Sequence, residues 1–256
     1  MNAIIIAAGS GKRISNHMKN IPKSLIEING KSIIDYQIDA IKKNGIENIT
    51  VITGKYSEKF VKMDDGINFV NDANHEEHDI LGSLMEGKEF LKNDVVVMYS
   101  DIIFEGKILQ EILDSRGDIS LAVDTEWREN YLGRTEHPES EAENVLFNEE
   151  NDIIKIKKNI KSNSNNIGEF LGIVKFTKKG SEIFVKKYEE LQKKHDSKFH
   201  DASSILKAYL TDMFQELIDC KIKLEPVFIS GEWCEIDTMQ DLKIAEKKLN
   251  SISPVN

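Results

Sequence analysis

The stretch from Ile4 to Leu25 carries the strongest chemical signal in the chain. An apolar, β-branched run leads into a turn in which Gly9 and Gly11 leave room for close backbone approach. Such a turn offers N–H groups to phosphate, and Arg13 and Lys23 add two cations within reach. We therefore predict a nucleoside triphosphate site here. The candidate nucleotide-binding residues of the turn are Ala8, Gly9, Ser10, Gly11 and Lys12.

Two well-known phosphate-binding loops do not fit this turn. The dinucleotide-binding fingerprint requires a third glycine at the position of Ile14. The Walker loop requires a glycine at the position of Ile6 and a serine or threonine at the position of Arg13. The remaining structural alternative is a tight strand-to-helix turn that carries surface cations.

Two aspartates are candidate magnesium ligands, because Mg²⁺ binds hard carboxylate oxygens and neutralises phosphate charge. Asp101 directly follows the apolar run 95–99, and a carboxylate at the end of a parallel strand faces the ligand crevice. Asp237 leads from a strand into the last helix, where Glu235 is a weaker candidate. Both aspartates have structural alternatives: Asp101 as a turn-capping residue, and Asp237 or its neighbour Thr238 as a helix N-cap.

The elements that must position these residues alternate in the first half of the chain. Strands are predicted over 49–53, 67–70 and 95–99, with helical periodicity from Ile33 to Ile41 and again from Leu81. This alternation predicts a mainly parallel sheet with helices on both faces, and ligands beyond the carboxyl ends of the strands.

The second half of the chain is less regular. Strands are predicted over 120–123, 153–156, 170–176 and 224–229, together with three amphipathic helices. Residues 126–151 are polar and acidic, without helical periodicity, and we predict that they form an arm or lid over the site. No internal repeat or linker interrupts the sequence, so residues 1–256 are predicted to be a single domain.

Composition limits the class of protein. The formal net charge of −10 argues against a nucleic-acid partner, because phosphate backbones are bound by basic patches. No apolar run reaches membrane-spanning length, and the first residues enter a buried strand rather than a signal peptide. Cys220 and Cys234 lack the spacing of a metal site or a disulfide framework. These features predict a cytoplasmic protein.

The turn, followed by Pro22-Lys23, resembles the signature of the sugar nucleotidyltransferase-like superfamily, Ala-Ala-Gly-x-Gly-x-Arg and then Pro-Lys. The resemblance implies an α/β fold: a Rossmann-like, three-layer αβα nucleotidyltransferase fold with a mainly parallel mixed sheet and an inserted arm or lid. It also implies that the loop wraps the triphosphate, that Lys23 and Arg13 are catalytic, and that Asp101 and Asp237 bind Mg²⁺.

Later stretches resemble one branch of the superfamily, the phosphonate cytidylyltransferases associated with phosphoenolpyruvate mutase. This branch implies transfer of CMP from CTP to a small phosphonate such as 2-aminoethylphosphonate, with a phosphonate or phosphate acceptor as the second partner. Choline-phosphate cytidylyltransferases, and sugar-1-phosphate enzymes that use UTP or dTTP, are the alternatives. The matching residues are Trp127, Tyr131, Arg134, His137-Pro138, Ala142-Glu143, the run 168–172, Trp233 and Asp241-Leu242.

Three residues are candidates for binding the acceptor. A bidentate guanidinium suits a phosphonate, so Arg134 is predicted to bind that group, with a solvated surface arginine as the alternative. Glu169 is predicted to neutralise an ammonium group or to hold ribose. Trp233 is predicted to stack on a cation, with core packing as the alternative.

The base site and the overall assembly are predicted less directly. Asp79 and Ser83 open a helix whose residues are candidates for reading the base, although Asp79 is equally suited to an ordinary N-cap. The nearby run His75 to His78 lacks the zincin spacing, so no zinc site is predicted there. A homodimer formed through the arm, and an inactive nucleotide-binding regulatory protein on the same scaffold, remain open.

Overall fold

The protein is described from a computed structural model, which describes residues 1–9, 11, 14, 21–60, 66–162, 166–194, 197–230 and 232–252. Its helices are α1 (Ile33–Lys43), α2 (Ile80–Glu86), α3 (Gly106–Asp114), α4 (Lys178–Lys194), α5 (Leu210–Asp219) and α6 (Met239–Ile252). Short 3₁₀ turns include Lys23–Leu25, Trp127–Tyr131 and Glu139–Glu141. Within the described part of the chain, no helix is long and apolar enough to cross a membrane.

The strands form one large mixed sheet and two small ribbons. The sheet runs β10-β9-β11-β6-β1-β4-β5, with β8 beside β11 and β12 beside β8; the ribbons are β13-β7 and β2-β3. The strands are β1 (Asn2–Ala7), β2 (Glu27–Ile28), β3 (Lys31–Ser32), β4 (Asn48–Thr53), β5 (Ile67–Asn71), β6 (Val95–Tyr99), β7 (Ile102–Phe104), β8 (Ile119–Asp124), β9 (Glu143–Phe147), β10 (Ile153–Lys158), β11 (Ile167–Phe176), β12 (Glu225–Phe228) and β13 (Trp233–Glu235).

The predicted three-layer α/β fold is confirmed. Strands β6, β1, β4 and β5 pair in parallel. Ile4 of β1 lies opposite Thr50 of β4 on one side and Val97 of β6 on the other. Strands β6, β1 and β4 are buried on both faces, which is why they are mainly apolar runs rather than alternating ones. One face packs against α2, α4 and α5 through residues such as Phe184 and Phe214, and the other packs against α1 and α3.

The second half of the chain contributes the antiparallel part of the sheet. The long strand β11 is antiparallel to β6, β8 and β9. Its pairing with β8 shifts register between Phe170 and Val174, and Gly172 within that bulge has φ +77°. A Cβ on residue 172 would lie 2.3 Å from the ring of Tyr99, so the tyrosine at the end of β6 can pack here only because residue 172 is glycine.

The predicted arm is wrong at its second boundary. Glu143–Phe147 is a strand of the main sheet, antiparallel to both β10 and β11. Acidic residues flank this strand, so the sequence around it looks like a polar loop. Its partner strands come later in the chain and could not be recognised from the local pattern. The excursion is therefore residues 126–142, which have their own small cluster of Trp127, Tyr131 and Ala142. Its role as a lid stays a prediction.

Candidate active site

A cavity of about 770 Å³ opens where β1 and β6 end. Ala8, Gly9, Gly11 and Lys23 line it, as do the two aspartates singled out in the sequence, Asp101 and Asp237. Gly11 has φ +52°, and a Cβ there would lie 3.1 Å from Cβ of Lys23. The glycine thus allows the loop to pack directly against the lysine. Ser10, Lys12 and Arg13 lie outside the described residues.

The ammonium of Lys23 lies between two carboxylates. Its Nζ is 2.8 Å from Asp101 Oδ2 and also contacts Asp237 Oδ1. The lysine side chain is 11% exposed, and burial by itself would lower its pKa. The charges of Asp101 and Asp237 outweigh burial, so the pKa of Lys23 is raised above its usual value. Lys23 is therefore a fixed cation at the centre of the site.

Short local elements bring these three side chains together. Pro22 precedes the 3₁₀ turn Lys23–Leu25, and its restricted φ limits the direction in which the chain enters that turn. Asp101 lies in the turn between β6 and β7, and Asp237 follows β13, the strand that pairs with β7. The two aspartate segments are joined directly, because Ile236 N donates to the carbonyl of Asp101 at 2.9 Å.

The structure separates the two interpretations of Asp237. Asp241 N donates to Thr238 Oγ1 at 3.2 Å, and Asp241 Oδ2 accepts from Thr238 N at 2.9 Å. This reciprocal pair caps α6, so Thr238 is the capping residue. The side chain of Asp237 is consequently directed to Lys23 rather than to the helix.

His137 and Glu235 complete the polar cluster around Asp237. His137 Nδ1 lies 2.9 Å from Asp237 Oδ2, and His137 Nε2 lies 3.5 Å from Glu235 Oε2. Ligand atoms of the three residues all lie within 4.8 Å of one another. Burial, and then the charge of Asp237, raise the pKa of Glu235 above its usual value. His137 belongs to a stretch that resembles the cytidylyltransferase branch, but the sequence alone predicted no role for it.

The donor set fits a divalent cation such as Mg²⁺. Asp101 Oδ1 is buried and has no hydrogen-bond partner among the described residues, so one carboxylate oxygen is available as a ligand. Asp237 supplies further carboxylate oxygens beside it, in contact with the same lysine. Hard oxygen ligands of this kind are the ones that magnesium prefers. The assignment of Asp101 and Asp237 as its ligands stays a prediction.

A second group of carboxylates lines the part of the cavity beside β9 and β11. Glu169 is 4% exposed, accepts from the Tyr131 hydroxyl through Oε1, and has no partner for Oε2 within the described residues. Burial, and then the charge of Glu235, raise its pKa well above the usual value. Glu143 accepts from the Tyr99 hydroxyl at 3.1 Å, and burial raises its pKa to about 7. Lys158 lines the same region and its charge acts on Glu143, so Glu169 is the group of this wall that favours a ligand with positive charge.

Trp233 also lines the cavity, and its ring is held in place. The indole Nε1 donates to Asp124 Oδ2 at 2.7 Å, and the residue is 4% exposed. The ring packs in the core and the residue also lines the cavity, so the structure is compatible with both interpretations. Its role in stacking on a cation stays a prediction.

Ser83 and Asp79 line the cavity at the start of α2. Asp79 is the N-cap of that helix, but its side chain makes no capping hydrogen bond. The Ser83 hydroxyl donates to Asp72 Oδ2 at 2.8 Å, so its hydrogen is used within the protein. Both positions are compatible with a bound nucleotide, and their predicted role in reading the base is untested.

Arg134 is not on the cavity wall, in contrast to its predicted role at the acceptor. Its Nε donates to Asp241 Oδ1 at 2.8 Å, and its Nη2 lies 3.4 Å from Glu235 Oε2. The side chain is 4% exposed and lies against the ring of Tyr131. Its acidic partners are about a hundred residues away in the chain, so local sequence pattern could not reveal them. Arg134 joins residues 126–142 to the start of α6.

Replacing Arg134 with methionine should therefore reduce stability. We expect a loss of about 3 kcal/mol in the free energy of unfolding, because the change leaves the buried carboxylate of Asp241 and the partly buried one of Glu235 without their cation. Urea unfolding measures this loss, and Arg128→Met is the matched control. Arg128 lies in the same segment, but its pair with Glu139 is half-exposed and contributes about 0–1 kcal/mol. Equal effects of the two variants would contradict this account of Arg134.

Comparison with known proteins places this chain among nucleotidyltransferases. The MobA-like NTP transferase domain matches residues 3–233. The chain is 28% identical over 257 residues to CTP:phosphoglutamine cytidylyltransferase of Campylobacter jejuni, which covers 97% of this chain and 100% of that protein. It is 33% identical over 117 residues to choline-phosphate cytidylyltransferase of Streptococcus pneumoniae, over 45% of this chain and 51% of that protein.

A solved structure supports the same fold. The inositol-1-phosphate CTP transferase from T. maritima superposes with a TM-score of 0.74 at 20% identity, over 98% of this chain and 95% of that one. The match to the domain covers most of the sequence, so the chain belongs to the family of MobA-like NTP transferase domains. It is a nucleotidyltransferase enzyme, as the loop and the paired lysine predicted.

Proposed function

We propose that this enzyme transfers CMP from CTP, with Mg²⁺, to an anionic oxygen of a small phosphonate or phosphate, and releases pyrophosphate. The observation that carries the proposal is the buried ammonium of Lys23 between Asp101 and Asp237, at the end of a glycine loop. A fixed cation and two hard carboxylates suit a reaction in which phosphate charge must be neutralised. The two cytidylyltransferase relatives support CTP as the donor.

The reaction needs no side-chain nucleophile. An acceptor oxygen that is already ionised attacks the α-phosphorus in line, and the bond from that phosphorus to the bridging oxygen breaks as pyrophosphate leaves. The loop at Ala8, Gly9 and Gly11 holds the phosphates, and Lys23 stabilises the charge on the α-phosphate oxygens. When bound by Asp101 and Asp237, the metal ion would supply further neutralisation of phosphate charge.

The acceptor that we propose carries an ammonium group as well as its phosphonate or phosphate. The supporting observation is the acidic wall: Glu169 Oε2 is buried and unpaired within the described residues, and Glu143 lies on the same wall. An ammonium group would satisfy an oxygen that is costly to leave unpaired. 2-Aminoethylphosphonate meets this requirement and is our first candidate. Phosphocholine is the second, because choline-phosphate cytidylyltransferase is among the relatives.

The test is a panel of donor and acceptor pairs followed by pyrophosphate release. CTP, UTP, ATP and GTP are each supplied with Mg²⁺ and one of four acceptors: 2-aminoethylphosphonate, phosphocholine, phosphoglutamine or glucose-1-phosphate. We expect turnover with CTP and either 2-aminoethylphosphonate or phosphocholine. Turnover only with UTP and the sugar phosphate would overturn the proposed donor and acceptor. Turnover with CTP and phosphoglutamine alone would retain the donor and replace the acceptor.

A further inference from the structure

The run from His75 to His78, which has no zinc spacing, is organised around one buried carboxylate. Asp72 directly follows β5 and is 0% exposed. His78 Nδ1 lies 3.0 Å and 3.1 Å from the two carboxylate oxygens of Asp72. Asn74 N donates to Oδ1 at 2.9 Å, and the Ser83 hydroxyl donates to Oδ2. Asp72 therefore has a full set of donors.

This arrangement fixes the tautomer of the His78 ring. An ionised carboxylate only accepts hydrogen bonds, so Nδ1 of His78 must carry the hydrogen. In the neutral ring, Nε2 then has a lone pair and acts as an acceptor. None of the described residues provides a hydrogen-bond partner for this Nε2, and the His78 side chain lines the cavity. This acceptor atom is thus left available to a ligand of the cavity.

The position of the His78 ring is also fixed from behind. A Cβ on Gly82 would lie 2.8 Å from Cγ of His78 and 2.7 Å from the carbonyl oxygen of Leu206. The imidazole therefore rests against a helix backbone that has no side chain at this point. The ring is 7% exposed, so it cannot turn without moving α2 or Asp72. The surrounding fold therefore fixes the orientation of the His78 ring and of its Nε2.

This part of the wall is the side that suits a nucleotide base. The acidic residues Glu143 and Glu169 line the region beside β9 and β11, which favours a cationic acceptor. The glycine loop follows β1, and His78 lies beyond β5, two strands away in the sheet from β1. A triphosphate on the loop can therefore place its base toward His78 while its α-phosphate stays at Lys23.

We propose that His78 determines donor specificity by accepting a hydrogen bond through Nε2 from the 4-amino group of cytosine. Uracil has a carbonyl oxygen at this position, so two lone pairs would face each other and UTP would be disfavoured. Asp72 is a positioning residue that holds the tautomer. The inference rests on the proposed use of CTP and deepens it, because it names the group that selects the base.

The test compares three donors on the wild-type enzyme and on His78→Ala. The donors are CTP, UTP and the triphosphate of the 2-pyrimidinone ribonucleoside, which has only hydrogen at position 4. In the wild type, kcat/KM should be about tenfold or more higher for CTP than for the pyrimidinone analogue. In His78→Ala, we expect this ratio to fall to about one, with kcat/KM for the analogue changed by less than about threefold.

One further variant and one spectroscopic measurement test the role of the tautomer. Asp72→Asn presents an amide that can donate to Nδ1, which would place the hydrogen on Nε2; we expect the ratio of CTP to UTP to fall further than in His78→Ala. Nitrogen chemical shifts of His78 report the tautomer directly and serve as a readout that a purely structural role would not move. Thermal unfolding identifies any variant that has lost its fold.

The control is His200→Ala, which removes a histidine paired with Glu216 away from the cavity and should keep both ratios. An unchanged ratio of CTP to the analogue in folded, active His78→Ala overturns the inference and leaves the proposed CTP activity standing. Loss of the ratio in His75→Ala alone also overturns it. If the wild type prefers UTP, the proposed donor fails as well, so the two failures are distinguishable.

Discussion

Replacing Lys23 with alanine should lower kcat by about 10³-fold, because the reaction loses its fixed cation at the developing phosphate charge. The same change should lower stability by about 3 kcal/mol in the absence of metal, since it leaves Asp101 and Asp237 without their shared ammonium. Single-turnover kinetics measures the first effect, and urea unfolding measures the second. Wild-type turnover in this variant would overturn the proposed site.

The position of Lys23 also predicts how the variant responds to metal. The ammonium contacts the same two carboxylates that we assign to Mg²⁺, so lysine and metal compete for them when no nucleotide is bound. Removing the lysine should therefore make Mg²⁺ alone a better stabiliser, through tighter binding to the folded state. We expect a larger Mg²⁺-induced rise in Tm for Lys23→Ala than for the wild type.

A matched control is available on the surface. Lys31 pairs with Asp39, and their side chains are 32% and 52% exposed. Lys31→Ala removes a lysine–aspartate contact of the same type outside the cavity. It should leave kcat, and the response of Tm to Mg²⁺, at wild-type values, because exposed pairs contribute about 0–1 kcal/mol. A change in metal response in this control would mean that the effect is not specific to the site.

The proximity of Lys23, Asp101 and Asp237 was predictable because local rules place these residues. A β-branched run that ends in glycine predicts β1 and its loop, and an aspartate directly after another buried run predicts a carboxylate at the same sheet edge. Lys23 and Asp101 meet for this reason, although 78 residues separate them. Asp237 was ambiguous in the sequence, because a cap and a ligand look alike there. The observed cap at Thr238 separates the two.

What the sequence could not predict depends on pairings between distant residues. In the sequence Arg134 resembles an exposed arginine, and its partner Asp241 is evident only in the folded structure. Residues 143–147 look like part of a polar loop until β10 and β11 provide both of their neighbours. His137 gained a role only when the excursion 126–142 brought it to Asp237. In each case the decisive partner lies outside the window in which periodicity and capping operate.

Replacing either of the two aspartates should also have a large effect on the rate. Asp101→Asn and Asp237→Asn should each lower kcat by about 10²-fold at saturating nucleotide and raise the Mg²⁺ concentration needed for half-maximal rate. Each change removes one hard oxygen ligand while preserving side-chain volume. Mg²⁺ titrations of rate and of Tm measure both effects. If both variants keep normal magnesium dependence, the metal is bound elsewhere.

The same variants should be affected far less in stability than Lys23→Ala. Burial, and then the charges of neighbouring carboxylates, raise the pKa values of Glu235 and Glu143, so the centre carries excess negative charge. Removing one carboxylate charge relieves that repulsion, whereas removing the lysine increases it. We expect both asparagine variants to stay within about 1 kcal/mol of the wild type, and Asp39→Asn to change neither stability nor rate. Activity lost with stability retained is the behaviour of a site in which charges are held together for function rather than for folding.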